Sequence, residues 1–260
     1  MDIEKSLARR AALYAALGEP ARLAIVDALV PGDAAPGELA GRLGLGSNLL
    51  AHHLKVLEAA GVVRRTRSEG DRRRTYVTLE PDAMMLVGGG RWLAAEPRVV
   101  SRVVFVCTRN SARSQLATAL WSRCGGIPAV SAGTRPAAQV HPGAVAVARR
   151  HGVELKATRP RHVDQVAREG DLVVAVCDSA HEELREVSRL HWSVPDPIRV
   201  GTDAAFDGVL RQLDERITRL AGLIDSGLIQ AGAEARPDEI DSGRIGRVSS
   251  TPIRAGGTDG

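Results

Sequence analysis

Apolar residues in the first 80 positions recur at helical spacing in short stretches. Ile3, Leu7, Tyr14 and Leu17 predict a helix over 3–17. A second spans Ala21–Leu29, introduced by Gly18-Glu-Pro20 and stopped by Pro31-Gly32, and a third spans Pro36–Leu43, closing at Gly44. Ser47 suits the N-cap of a fourth helix that runs to Ala60 and ends at Gly61. In that helix Leu50, Leu54 and Leu57 share one face, and Asn48, Ala51, His52 and Lys55 lie opposite. The period then changes. Val62–Thr66 and Thr75–Leu79 read as two strands around Ser68-Glu-Gly-Asp71, with Gly70 available for a positive φ.

From Arg102 onward strands and helices alternate. Arg102–Val106 is apolar and β-branched, Ala112–Cys124 is helical, and Ala129-Val-Ser131 is a short strand. Pro142–His151 is helical, Asp171–Val176 is strongly apolar, and Ala180–Val187 is helical. A short strand near His191–Val194 precedes a helix over Ala204–Ile224. This alternation predicts an α/β unit with a four-stranded, parallel, doubly wound sheet, whose ligands bind beyond the strand C-termini. Residues 82–101, with Gly88-Gly-Gly90 and Pro97, are expected to finish a dimerisation helix and then link the units; 226–260, rich in Gly, Ser, Asp and Arg, reads as a flexible tail. The expected division is 1–90, a 91–100 linker, 101–225 and a 226–260 tail.

With 260 residues, 44% of them hydrophobic, the chain is long enough for two cores. It opens without a basic stretch leading into an apolar one and holds no long apolar run, so a cytoplasmic protein with no membrane partner is expected. The three cysteines, Cys107, Cys124 and Cys177, are too few and too scattered for a disulfide scaffold. Without CxxC or zinc-finger spacing, no metal site is read. Net charge is only +4, yet Arg64, Arg65, Arg67, Arg72, Arg73 and Arg74 crowd one hairpin, facing Glu69 and Asp71. Such a cluster suits phosphate contact.

The polar face of the fourth helix suits a DNA major groove, with hairpin arginines against the backbone. Leu17-Gly-Glu-Pro-Ala-Arg-Leu-Ala-Ile-Val26, Ser47-Asn-Leu-Leu-Ala-His-His-Leu-Lys-Val-Leu-Glu-Ala-Ala-Gly-Val-Val63 and the arginine-rich wing resemble ArsR-type winged-helix repressors over about 5–80. The resemblance implies a mainly α winged helix-turn-helix with a β-hairpin wing. It also implies a homodimer on a double-stranded DNA operator, contacted by Ser47, Asn48, Ala51, His52, Lys55, Arg65, Arg67, Arg72, Arg73 and Arg74. Pro36–Leu43 carries no cysteine, where arsenic-sensing members often place thiols.

The apolar strand ending at Val106 runs into Cys107-Thr-Arg-Asn-Ser-Ala-Arg113-Ser114, and helical sequence follows at once. A thiolate there sits under loop N–H groups and a helix N-terminus, both of which favour an oxyanion. Arg113 can grip two of its oxygens, Ser114 can donate to the thiolate, and Asn110 tolerates a left-handed loop. Asp196, in Pro195-Asp-Pro197, is the candidate general acid.

This loop, with Ser131-Ala-Gly-Thr134, His141-Pro142, Gly152-Val-Glu-Leu155, Asp171-Leu-Val-Val-Ala-Val-Cys-Asp178 and His191-Trp-Ser-Val-Pro-Asp-Pro197, resembles low-molecular-weight protein tyrosine phosphatases over about 101–224. The likeness is strongest to their arsenate reductase branch. It implies Cys107 as nucleophile, oxyanion binding by Thr108, Arg109, Asn110, Ser111, Ala112 and Arg113, Asp196 as general acid, and no cofactor. Arg109 stands where the family usually has glycine, and Ala112 where it has a bulkier residue.

Ile198-Arg199 follows Asp-Pro where phosphotyrosine phosphatases carry aromatic residues, which points away from an aromatic substrate. Cys177 matches the resolving cysteine of reductases, but Ser179-Ala-His-Glu-Glu-Leu-Arg185 holds no third thiol, so an external thiol reductant is expected. Cys124 is expected to be structural. Three readings follow: a DNA-binding regulator fused to an arsenate reductase-like domain with arsenate or phosphate as oxyanion ligand, a tyrosine phosphatase, or a non-catalytic oxyanion or redox sensor controlling DNA binding.

Overall fold

The computed structural model describes residues 2–81, 83, 99–124, 126–156, 158–184, 190–227 and 229–231. The expected linker at 91–100 lies outside these apart from Val99 and Val100, as do the tail beyond Ala231 and the end of the Ala180–Val187 helix.

The N-terminal unit orders α1 (Asp2–Leu17), α2 (Pro20–Leu29), α3 (Pro36–Leu43), α4 (Ser47–Ala59), β1 (Val63–Arg67) and β2 (Thr75–Leu79). Glu19 caps α2 by accepting from Arg22 N at 2.9 Å, and Pro20 occupies the first turn, where no N–H is needed. Ser47 is not a cap. Gly46 is the N-cap of α4 and Ser47 its first residue; without a side chain at Gly46, no side-chain hydrogen bond closes that end. Gly61 ends the helix at φ +68°, as its position predicts. Leu50, Leu54 and Leu57 are buried with Leu13, Ile25, Leu29 and Leu39. The β1–β2 pair is antiparallel, from Val63↔Leu79 to Arg67↔Thr75. Gly70, at the wing tip, does not have a positive φ.

The C-terminal unit contains β3 (Val99–Val100), β4 (Arg102–Cys107), α5 (Arg113–Trp121), β5 (Ala129–Gly133), α6 (Pro142–Arg150), a 3₁₀ turn at Val163–Gln165, β6 (Asp171–Ala175), α7 (Asp178–Glu183), β7 (Leu190–His191), α8 (Pro197–Val200), α9 (Asp203–Asp225) and β8 (Gln230–Ala231). Its main sheet is four-stranded in the order β5-β4-β6-β7, and every pair is parallel. The strands are buried on both faces, as a parallel sheet covered by helices requires. From β4 the chain goes to β5 on one side and returns to β6 on the other. That reversal makes the C-terminal end of β4 the topological switch point, where α/β sheets bind ligands. Cys107 is the last residue of β4.

The two units are fastened to each other. Trp192 Nε1 donates to Pro31 O at 2.9 Å, Asp33 N to His191 O at 2.7 Å, and Ser193 N to Asp33 Oδ2 at 2.6 Å. Arg216 of α9 pairs with Asp33 at 2.9 Å, both side chains buried. His181 of α7 meets Glu38 of α3 at 3.3 Å, and the His181 and His191 rings stack 4.1 Å apart beside Tyr76 of β2.

Candidate functional site

The loop after β4 is held from outside. Cys107, Thr108, Arg109 and Ser111 carbonyls accept from the N–H groups of Thr134, Arg135, Ala137 and His141 at 2.8–3.2 Å. A peptide unit whose carbonyl is tied to one side carries its neighbouring N–H on the other, as an anion nest requires. Asn110 supplies the bend, at φ 47°, a conformation that Asn tolerates better than most residues. Its side chain locks the turn, Oδ1 accepting from Arg161 N at 3.0 Å and Nδ2 donating to Ser114 Oγ at 2.9 Å. Ser114 Oγ lies 3.1 Å from Cys107 Sγ. Because Asn110 already donates to that oxygen, the Ser114 hydroxyl hydrogen is available to the sulfur.

Arg113 starts α5 and is buried. Its Nη1 donates to Val194 O at 2.9 Å, and its Nη2 lies 3.1 Å from Asp196 Oδ2. Burial would pull its pKa down, but negative charge at Cys177, Cys107, Asp196 and Glu69 outweighs it and raises the pKa. Cys177 follows the end of β6, next to β4, and its Sγ is 3.5 Å from Thr108 Oγ1. Burial pushes the Cys177 thiol pKa up, against the lowering pull of Arg113. Asp196 Oδ1 caps α8 by accepting from Ile198 N at 3.2 Å, which holds the carboxylate beside Arg113. Arg109 and Cys124 are exposed.

Of the candidate DNA-contacting residues, Ser47, Asn48, Ala51, His52 and Lys55 are all exposed on α4. The wing arginines divide. Arg65 pairs with Glu58 at 3.0 Å, and Arg73 and Arg74 pair with Asp71 at 3.0 and 3.6 Å; Arg65, Arg67, Arg72 and Arg73 are all exposed and Arg74 is half-buried.

Sequence reasoning missed the wing's contribution to this site. Glu69 Oε2 accepts from Asp196 N at 2.9 Å and lies 3.8 Å from Arg113 Nη1. Asp178 Oδ2 accepts from Glu69 N at 2.8 Å, while its Oδ1 meets His191 Nε2 at 3.0 Å. Burial would raise the Asp178 pKa, but these bonds and one from the Ser193 side chain lower it. Burial pulls the His191 pKa below its usual value, and its Nδ1 has no hydrogen-bond partner, as a neutral ring allows. The one available hint was an acidic pair inside an arginine-rich hairpin. Among the described residues no group of three or more His, Cys, Asp or Glu could hold a metal ion, and no helix is long and apolar enough to cross a membrane.

Residues 102–229 match the family model of the low molecular weight phosphotyrosine protein phosphatases, and residues 17–66 match a helix-turn-helix domain. The chain therefore joins a helix-turn-helix domain to a low molecular weight phosphatase domain. Among solved structures it is similar to an arsenate reductase from Archaeoglobus fulgidus, at 29% identity over 46% of this chain and 98% of that one, TM-score 0.39. It is also similar to the tyrosine phosphatase Wzb of Escherichia coli, at 25% identity over 48% and 98%, TM-score 0.42. A third is YwlE from Bacillus subtilis, at 21% identity over 48% and 98%, TM-score 0.42. No curated protein matches the chain.

Proposed function

We propose that this chain is a dimeric, operator-binding regulator whose second domain reduces arsenate with thiol electrons, with 1–90 and 101–225 as the two functional units. The observation that carries the reading is the second thiol. Cys177 Sγ lies 3.5 Å from Thr108 Oγ1 of the loop that follows Cys107, a placement that phosphate ester hydrolysis does not need. Cys107 Sγ attacks arsenic as Asp196 protonates the departing oxygen, which leaves as water, and an As–S bond forms. Thr108, Arg109, Asn110, Ser111, Ala112 and Arg113 cradle the remaining oxygens. Cys177, as thiolate, then attacks Cys107 Sγ. The As–S bond breaks with its electron pair passing to arsenic, giving arsenite and a Cys107–Cys177 disulfide. Two equivalents of an external thiol reopen the disulfide, the first forming a mixed disulfide and the second releasing it as the oxidised thiol.

A phosphatase acting on phosphoesters is the second reading, favoured by the family model over 102–229. A phosphotyrosine ring would find little to stack on. Trp192 is buried against Phe105 with its N–H on Pro31, Tyr76 is buried with its hydroxyl on Glu182 at 3.1 Å, and Ile198-Arg199 follows Asp-Pro.

Arsenate reduction with an added thiol and p-nitrophenyl phosphate hydrolysis, measured on wild type, Cys107→Ser and Cys177→Ser, separate the readings. Reductase chemistry predicts that Cys107→Ser abolishes both reactions and that Cys177→Ser lowers only arsenate reduction. Hydrolysis without arsenate reduction in wild type would establish the phosphatase. If neither reaction occurs although oxyanion binds, the domain is a sensor.

A further inference from the structure

The wing tip ends in the oxyanion site. Glu69 approaches Arg113, the guanidinium assigned to the oxyanion, while accepting from the backbone N–H of Asp196. Its Oε2 thus stands as an anionic oxygen 3.8 Å from the guanidinium that an oxyanion would need. The rest of the tip is bolted to α7. Glu69 N donates to Asp178 at 2.8 Å, Asp71 N to Glu182 Oε2 at 2.9 Å, and Ser68 Oγ to Glu182 Oε1 at 2.7 Å. Gly70 is the reason the tip can come so close. A Cβ there would meet Glu182 Oε2 and would stand 3.0 Å from Ser179 Oγ and 3.1 Å from Ser179 Cα. The Glu69 side chain is nevertheless 37% exposed, so solvent and solute can reach it.

We propose that the wing tip is an intramolecular ligand of the oxyanion site, with Glu69 as the competing anion. Oxyanion binding and wing docking therefore exclude one another, and an oxyanion entering the Cys107 loop expels residues 68–71 from α7. Two carboxylates, Glu69 and Asp196, already face Arg113, and a doubly charged oxyanion cannot join them without repulsion. Asp196 is held by its own helix cap, so Glu69, on a hairpin tip, is the group that leaves. By linkage, any partner that draws the wing off α7 tightens oxyanion binding by the same factor. A wing engaged with DNA phosphates would be such a partner. The inference rests on reading the Cys107 loop as an oxyanion site; it does not require turnover.

The test uses the full chain with inorganic phosphate as probe. Phosphate affinity is measured by calorimetry for wild type, Glu69→Gln and Gly70→Ala. Amide exchange across 68–71 is followed with and without phosphate. Glu69→Gln removes the competing charge, whereas Gly70→Ala crowds the tip against Glu182 and Ser179 and so weakens its seat on α7 with Glu69 intact. Both variants are expected to bind phosphate about fivefold or more tightly than wild type. In wild type, saturating phosphate should speed exchange at the Glu69 and Asp71 amides. Equal affinity in all three proteins, with exchange unchanged, would overturn the competition and leave the oxyanion site standing. Phosphate binding to none of them, Glu69→Gln included, would overturn site and competition together.

Discussion

Asn110 concentrates three demands in one side chain: a left-handed backbone, a hydrogen bond to Ser114, and acceptance from Arg161 N. Gly133 lets the neighbouring strand approach, since a Cβ there would lie 2.9 Å from Asn110 Cβ and 3.0 Å from Thr108 O. Asn110→Ala keeps a Cβ in the strained region and strands the Arg161 amide. A loss of about 1–3 kcal/mol in thermal or denaturant unfolding is expected. Phosphate affinity, read by calorimetry, should fall with it. Asn110's tolerance of the left-handed region was legible from its residue type and its place between Cys107 and Arg113. The outward anchoring of the loop by 134–141 was not, because backbone hydrogen bonds between distant segments leave no side-chain signature.

At the scale of elements, helical periodicity found α1 to α4, and strand–helix alternation found the parallel sheet. Boundaries shifted where a bond or a neighbour decides. Ser47 lies inside α4, and β1 runs from Val63 to Arg67 in register with β2. The exposed face of α4 supports a direct prediction. Lys55→Ala and Arg72→Ala should each weaken duplex DNA binding and reduce the slope of log affinity against log salt by about 1. Fluorescence anisotropy at several salt concentrations checks it. The α7–β7 contact sets a pH dependence. His191 is held neutral, with its pKa depressed chiefly by burial. Its contribution to stability is complete above the ordinary histidine value near 6.5 and is lost as pH falls below it, at up to about 1.4 kcal/mol per pH unit. Asp178, with its lowered pKa, adds a further loss only at lower pH, below the ordinary carboxylate range. Denaturant melts of wild type against His191→Gln between pH 7 and 5 should show that slope disappear.

In the whole molecule, the two units are joined through Asp33. It accepts from Arg216 and from Ser193 N, and all of this is out of water's reach apart from the half-buried Ser193. Removing one partner of a buried ion pair leaves the other charge uncompensated, at a cost of about 3–5 kcal/mol. Asp33→Ala is therefore expected to lower the melting temperature and to split one calorimetric transition into two. A single unshifted transition would show that the Asp33–Arg216 pair does not couple the units.

The elements and the loop of the candidate site could be read from the chain, because both depend on local rules. Hydrophobic period sets helix or strand, and Cys107, Asn110, Arg113 and Ser114 lie within one short loop. Asp196 could be singled out by its rigid Pro-Asp-Pro loop after a predicted strand, whereas a role for Cys177 came only from resemblance to known families. What the tertiary structure alone decided is the meeting of the two units. No periodicity or spacing tells that a hairpin tip will seat on α7, that His181 and Trp192 will meet Glu38 of α3 and Pro31, or that Glu69 will stand at Arg113. Those contacts arise from shape and charge matched between segments far apart in the chain: 111 residues for Asp71 N on Glu182 and 161 for Trp192 on Pro31.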